Sequence, residues 1–84
     1  MKIENTTQAI ELLKASIDED YVKDATLKAM RVPGSYDGEI ADEYLVEISW
    51  DGSEPVVAKL YDTPDDFPFV DFEIFETSFD EMMS

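Results

Sequence analysis

Carboxylates are the main reactive or ligand-binding side chains in this sequence. The 84 residues include 21 Asp and Glu and six Lys and Arg, but neither His nor Cys. Without His or Cys, the nucleophilic triads and dyads built on those residues cannot form, and the usual ligands of transition metals are missing. Paired carboxylates could act as general acid and base, yet among so many acids close pairs arise by chance. We therefore expect a protein that is not an enzyme and needs no cofactor.

Two acidic clusters could supply the oxygen ligands that calcium prefers. One extends from Asp18 to Asp24 and the other from Asp62 to Asp66. Neither matches the EF-hand loop, in which alternating ligands, a central glycine and a final Glu have fixed positions. An acidic cluster at a helix start, or a solvated turn, explains both segments more simply. The sequence therefore predicts no metal site.

The negative charge is concentrated in one part of the chain. Residues 1–32 carry six acids and five bases, whereas residues 33–84 carry 15 acids and a single base, Lys59. Their net charges are therefore −1 and −14. Duplex DNA carries one charge per ~1.7 Å of axis, so this charge corresponds to roughly 24 Å of duplex, close to the diameter of roughly 30 Å expected for a compact chain of this length. The second segment thus has the linear charge density of nucleic acid.

A folded domain is expected to position these acids. Hydrophobic residues make up 44% of the chain and ten residues are aromatic, an apolar content that disordered acidic tails lack. No linker or internal repeat interrupts residues 1–84, which predicts one domain. The chain has no disulfide framework, no apolar run that could span a bilayer and no apolar region of a signal peptide near its start, so we expect a cytoplasmic protein.

Apolar spacing predicts the first elements of this domain. Asn5 followed by Gln8 is typical of a helix start, and apolar residues then recur at helical spacing, which predicts a helix over 6–18. Residues 21–32 fit either a helix or a strand, and we favour a strand over 25–32. Pro33 and Gly34 end it, and a turn-rich loop is expected over 35–38.

The second half of the chain favours β-structure. Alternation over 43–50 and 55–61, with Asp51-Gly52 between them, predicts a hairpin in which Leu45 is an apolar exception on the polar face. A helix could begin near Pro64 within residues 64–76, but Pro68 would lie inside it, so a strand over 69–76 is preferred. A capping box beginning at Ser78 predicts a short terminal helix. The expected fold is α+β, with an N-terminal helix packed on a three- to four-stranded antiparallel sheet and a short C-terminal helix.

Strand geometry would arrange the carboxylates in rows. Residues two apart on a strand lie ~6.6–6.8 Å apart on the same face, and such rows could meet the Lys and Arg that normally hold phosphates. Tyr36, Phe67 and Trp50 are candidate aromatic anchors, although the alternation of Trp50 with Ile48 favours a core role. The candidate partner-binding residues lie on predicted turns or outward strand faces: Glu43, Glu47, Asp62, Asp65, Asp66, Asp71 and Glu73.

This pattern resembles the small acidic DNA-mimic inhibitors of phages and mobile elements, of the anti-CRISPR or anti-restriction type. The resemblance lies in size, acidity, absence of cysteine and acid clusters such as Asp71-Phe72-Glu73 on an aromatic-rich framework. It implies a stoichiometric inhibitor that occupies the DNA-binding cleft of a host nuclease or CRISPR surveillance complex. The expected partner is a basic DNA-binding protein, while a net charge of −15 disfavours nucleic acid or an anionic membrane as a direct ligand. We expect a monomer or small homo-oligomer.

Other functions also fit the acidic composition. An immunity protein or antitoxin that neutralises a basic nuclease toxin would present the same carboxylates and aromatics to a basic active site. A third hypothesis is a general acidic interaction module without inhibitory activity. A fourth is that the acidic residues serve only solubility or adaptation to a high-salt cytoplasm. Repulsion among this many carboxylates destabilises a small domain, so their presence favours a functional role for the charge.

Overall fold

The structure is a computed structural model that describes residues 2–36, 39–40 and 42–83. It confirms the predicted α+β fold with one helix at each end of the chain and four antiparallel strands in one sheet. In the described residues, neither helix is long and apolar enough to cross a bilayer. The elements in chain order are α1 (Thr6–Ser16), β1 (Thr26–Val32), β2 (Ser35–Tyr36), β3 (Glu39–Ile40), β4 (Glu43–Ser49), β5 (Val56–Tyr61), β6 (Asp71–Phe75) and α2 (Phe79–Met83).

The start of α1 confirms the predicted cap. The Asn5 Oδ1 atom accepts a hydrogen bond from the Gln8 backbone N–H at 2.8 Å, and Gln8 Oε1 accepts one from the Glu4 N–H at 2.6 Å. These bonds satisfy backbone donors at the helix start. The helix ends at Ser16 rather than at residue 18, because Ile17 is already extended.

The sheet has the spatial order β1-β4-β5-β6, and all neighbouring strands are antiparallel. Residues 26–32 pair with β4, which confirms the strand favoured for this segment. Helix α1 packs on one face of the sheet against β1 and β4. Leu13, Val46 and Ile48 are fully buried there. Trp50 follows β4 and is half-buried against this core, with its ring 5.5 Å from that of Tyr21 in an edge-to-face arrangement. The core role favoured for Trp50 therefore fits its position.

The opposite face of the sheet has a second, smaller core under α2. Phe79 packs on Leu45 and Val57, with Met30 and Val32 at the side. Leu45 interrupts the polar face of β4 in the sequence because α2 covers it. The sheet is thus apolar on both faces over part of its area.

Besides the end of α1 and one-residue shifts at several strand ends, two segments differ from the sequence predictions. The last strand begins at residue 71 rather than 69, because Pro68 lacks an N–H and the Val70 N–H donates to Ser16 Oγ of α1 instead of to β5. The loop predicted over 35–38 was wrong for its first half, since Ser35 and Tyr36 form β2 and pair with β3. Asp37 and Gly38 of that predicted loop lie outside the described residues.

Candidate functional site

Six of the seven candidate residues lie toward one end of the four-stranded sheet. Glu43 begins β4, Asp71 begins β6, and Asp71 lies opposite Tyr61 at the end of β5. The loop of residues 62–70 connects β5 to β6 at this end. The set, called the acidic end below, consists of Glu43, Asp62, Asp65, Asp66, Asp71 and Glu73.

Lys59 lies among these carboxylates on β5. Its Nζ atom is 3.4 Å from Glu43 Oε1 and 5.3 Å from the centre of the Tyr61 ring. Glu73 is opposite Lys59 in the strand register, and its Oε1 accepts a hydrogen bond from the Tyr61 hydroxyl at 3.4 Å. The Glu43 carboxylate raises the pKa of Lys59 above its usual value, Tyr61 adds to the effect, and burial opposes it. The ammonium is therefore charged at neutral pH and already has partners.

Besides Glu73, two candidate carboxylates accept hydrogen bonds from backbone N–H groups. Asp62 Oδ1 accepts one from the Ile3 N–H at 3.0 Å, which ties the N-terminal segment to the end of β5. Glu47 lies farther along β4, opposite Val57, and its Oε2 accepts one from the Phe79 N–H at 2.8 Å. That bond joins the sheet to the first turn of α2. Glu47 is therefore not brought together with the acidic end.

The connecting loop carries an exposed aromatic pair. The rings of Phe67 and Phe69 are edge-to-face with centroids 5.4 Å apart, and the two residues are 43% and 41% exposed. The loop is ordered by a hydrogen bond from the Phe67 N–H to the Pro64 carbonyl and by one from Thr63 Oγ1 to the Phe69 carbonyl. Phe67 is one of the aromatic anchors predicted from the sequence, whereas Phe69 was predicted to begin the strand and not to be an anchor.

The other end of the sheet is also acidic, and none of its residues is among the predicted site residues. The β4–β5 turn contributes Asp51 and Glu54, and Gly52 supplies the positive φ of 79° that this turn requires. Glu54, Glu76 and Glu81 line one small surface cavity of about 160 Å³. Glu54 is far in sequence from Glu76 and Glu81, and the pairing of β5 with β6 and the position of α2 bring the three together.

The chain cannot neutralise its own carboxylates. Six bases can neutralise the charge of at most six of the 21 acids. Within the described residues, two ion pairs are formed, Arg31 with Asp42 at 3.5 Å and Lys59 with Glu43 at 3.4 Å. Asp65, Asp66, Asp71 and Glu73 are all exposed.

The two segments considered for calcium form turns. Asp18 Oδ1 accepts a hydrogen bond from the Asp20 N–H, and Asp24 adopts a left-handed φ of 61° before β1 begins. Asp tolerates this conformation better than most residues. In the part of the chain that the structure describes, no three acidic side chains are grouped so that they could hold a metal ion.

No protein-family model, curated protein or solved structure matches this chain.

Proposed function

We propose that this protein is a non-enzymatic inhibitor, encoded by a phage or mobile element, that mimics DNA. It would block the duplex- or PAM-binding cleft of a host nuclease or CRISPR surveillance complex. The observation that carries the proposal is the excess of carboxylates: the chain has 21 acids and only six bases, so a net charge of −15 is left without compensation in the chain. A basic cleft that normally binds phosphates would supply those missing partners.

The arrangement of the acidic end supports this proposal. Asp71 and Glu73 are exposed on the same face of β6, at the strand spacing of ~6.6–6.8 Å. Asp65 and Asp66 extend the negative surface onto a loop that is ordered by its own hydrogen bonds. A rigid array of charge loses little conformational entropy when it binds, as duplex DNA does.

The exposed Phe67 and Phe69 pair adds an apolar and π-rich contact within this array. An Arg guanidinium can stack on an aromatic ring while it donates hydrogen bonds to a carboxylate. Arg is also the residue that most often contacts phosphates and guanine in DNA-binding clefts. The loop therefore offers an Arg-rich cleft a combination that suits its side chains.

Competition with DNA tests the proposal. The immobilised protein would be incubated with bacterial lysate, washed, and eluted with duplex DNA. We expect the eluted protein to be basic and DNA-binding, and its capture to weaken steeply with salt because screening acts over ~8–10 Å at physiological ionic strength. Capture of acidic or neutral partners alone, or of partners that DNA does not displace, would refute the mimic.

An immunity protein or antitoxin remains the alternative function, since it would present the same surface to a nuclease toxin. The identity of the eluted protein separates the two. A defence nuclease or CRISPR component supports the first function, and a toxin nuclease supports the second.

A further inference from the structure

An apolar groove lies between the sheet and α2, on the face opposite α1. Its volume is about 680 Å³, within the ~300–1,000 Å³ range of ligand pockets. Lys59 and Glu43 lie at its edge, already paired with each other. The apolar lining is formed by Met30, Val32, Leu45, Phe75, Met82 and Met83.

The groove collects large apolar side chains that the fold leaves exposed. Phe75 is 39% exposed, Met82 44% and Met83 66%. Phe79 anchors α2 in the small core, whereas the two methionines follow it over the groove. Methionine side chains are unbranched and polarisable, so they adapt to the shape of an apolar partner. A cluster of this kind on a small domain is typical of an interaction surface.

Charge determines what can occupy this groove. Glu76 lines the groove, Glu47 and Glu73 lie on the same face of the sheet as the Glu43–Lys59 pair, and the whole chain has a net charge of −15. A second copy of the chain would bring the same negative charge, and so would an anionic membrane. The occupant that fits is both apolar and cationic.

We infer that the groove binds a basic amphipathic helix of the target protein, with apolar side chains in the groove and Lys or Arg on the acidic rim. Recognition of a helix in a groove uses apolar anchors at positions i, i+3, i+4 and i+7. The inference rests on the proposed function in one respect, namely that the target protein is positively charged. It adds a second contact surface, separate from the Phe67 loop, that phosphate mimicry alone does not require.

A synthetic peptide tests this inference without knowledge of the target. The probe is a Leu/Lys peptide of about 16 residues with leucines on one helical face. Its control has the same composition in an order that spreads the leucines around the helix. Binding would be measured by calorimetry, and contacts by NMR of the methyl groups of Met30, Leu45 and Met82. We expect one-to-one binding of the amphipathic peptide at least about tenfold tighter than that of the control, because the charges are equal and only the apolar face differs.

Matched variants locate the site. Met82→Ser with Met83→Ser removes exposed groove residues, while Phe67→Ser with Phe69→Ser removes an exposed apolar pair elsewhere. Melting curves would establish that both variants fold. The methionine variant should bind the two peptides equally, and the phenylalanine variant should retain the preference.

Three results would overturn the inference: equal affinity of the two peptides for the native chain, retention of the preference by the methionine variant, or self-association of the native chain that the methionine variant abolishes. The proposed function fails separately. If DNA displaces the captured target but the two peptides bind with equal affinity, the proposed function is supported and the helix-binding groove is refuted. If the amphipathic peptide binds preferentially but no captured protein is displaced by DNA, the groove is supported and the proposed function is refuted.

Discussion

At the residue scale, charge and hydrogen bonding are separate properties of the same carboxylate. Asp62 and Glu47 were predicted to meet a partner because they are acidic and lie on a turn or an outward strand face. In the fold they accept hydrogen bonds from Ile3 and Phe79, respectively. A sequence pattern indicates that a side chain points away from the core, but it does not indicate which backbone N–H the fold will place beside it.

Substitution of Glu47 separates its two properties. Glu47→Ala removes the acceptor for the partly buried Phe79 N–H, so we expect the free energy of unfolding to fall by about 1–2 kcal/mol. Glu47→Gln keeps an acceptor oxygen without the charge and should lose less. Urea denaturation measures both. The exposed Asp66→Ala is the control and should change stability by no more than about 0.5 kcal/mol. Equal stability of the Ala and Gln variants would show that the hydrogen bond contributes little.

At the element scale, local patterns predicted most of the fold. The Asn5 cap, the Asp51-Gly52 turn and the Ser78 cap of α2 each depend on residues close in sequence, and each is present. In the last of these, Ser78 Oγ accepts a hydrogen bond from the Glu81 N–H at 3.2 Å.

The mistakes involve partners far apart in sequence. Val70, just before β6, donates its N–H to Ser16, 54 residues earlier, and the cavity lined by Glu54, Glu76 and Glu81 is formed by strand pairing and by the docking of α2. Leu45 was recognised as an exception, but its reason, the cover by Phe79, required the tertiary fold. The acidic end was partly predictable because β5, its loop and β6 are consecutive.

The β5–β6 loop is the element that we expect to contact the target most directly. Reversing two charges with Asp65→Lys and Asp66→Lys should make the free energy of binding to the target less favourable by about 2–5 kcal/mol if these carboxylates meet buried basic groups. Glu11→Lys with Glu19→Lys changes the net charge equally, at exposed positions outside the loop. This control should alter mainly the association rate and its salt dependence. Binding kinetics against the captured target measure both pairs. Equal losses of affinity would indicate that overall charge, and not this loop, carries recognition.

At the scale of the whole molecule, the charge that would attract a target also opposes folding. The chain measures 42 × 33 × 18 Å along its principal axes and carries a net charge of −15. At an ionic strength of about 0.01 M the Debye length is about 30 Å, so charges at opposite ends of the sheet repel one another. At about 0.15 M it falls to about 8 Å, and repulsion is confined to near neighbours.

Salt should therefore stabilise the free protein. We expect Tm to rise as NaCl increases from about 0.01 M to about 0.15 M, because screening relieves repulsion in the compact state more than in the expanded one. Thermal melts followed by circular dichroism measure this. A control variant with Asp51→Asn, Glu54→Gln and Glu76→Gln carries three fewer negative charges, and its Tm should be higher at low salt and depend less on salt. The same melts with EDTA would reveal a bound metal as a drop in Tm. A Tm of the native chain that falls on adding NaCl would mean that ion pairs within the fold outweigh the repulsion, and the surplus of carboxylates would then no longer argue for a basic partner.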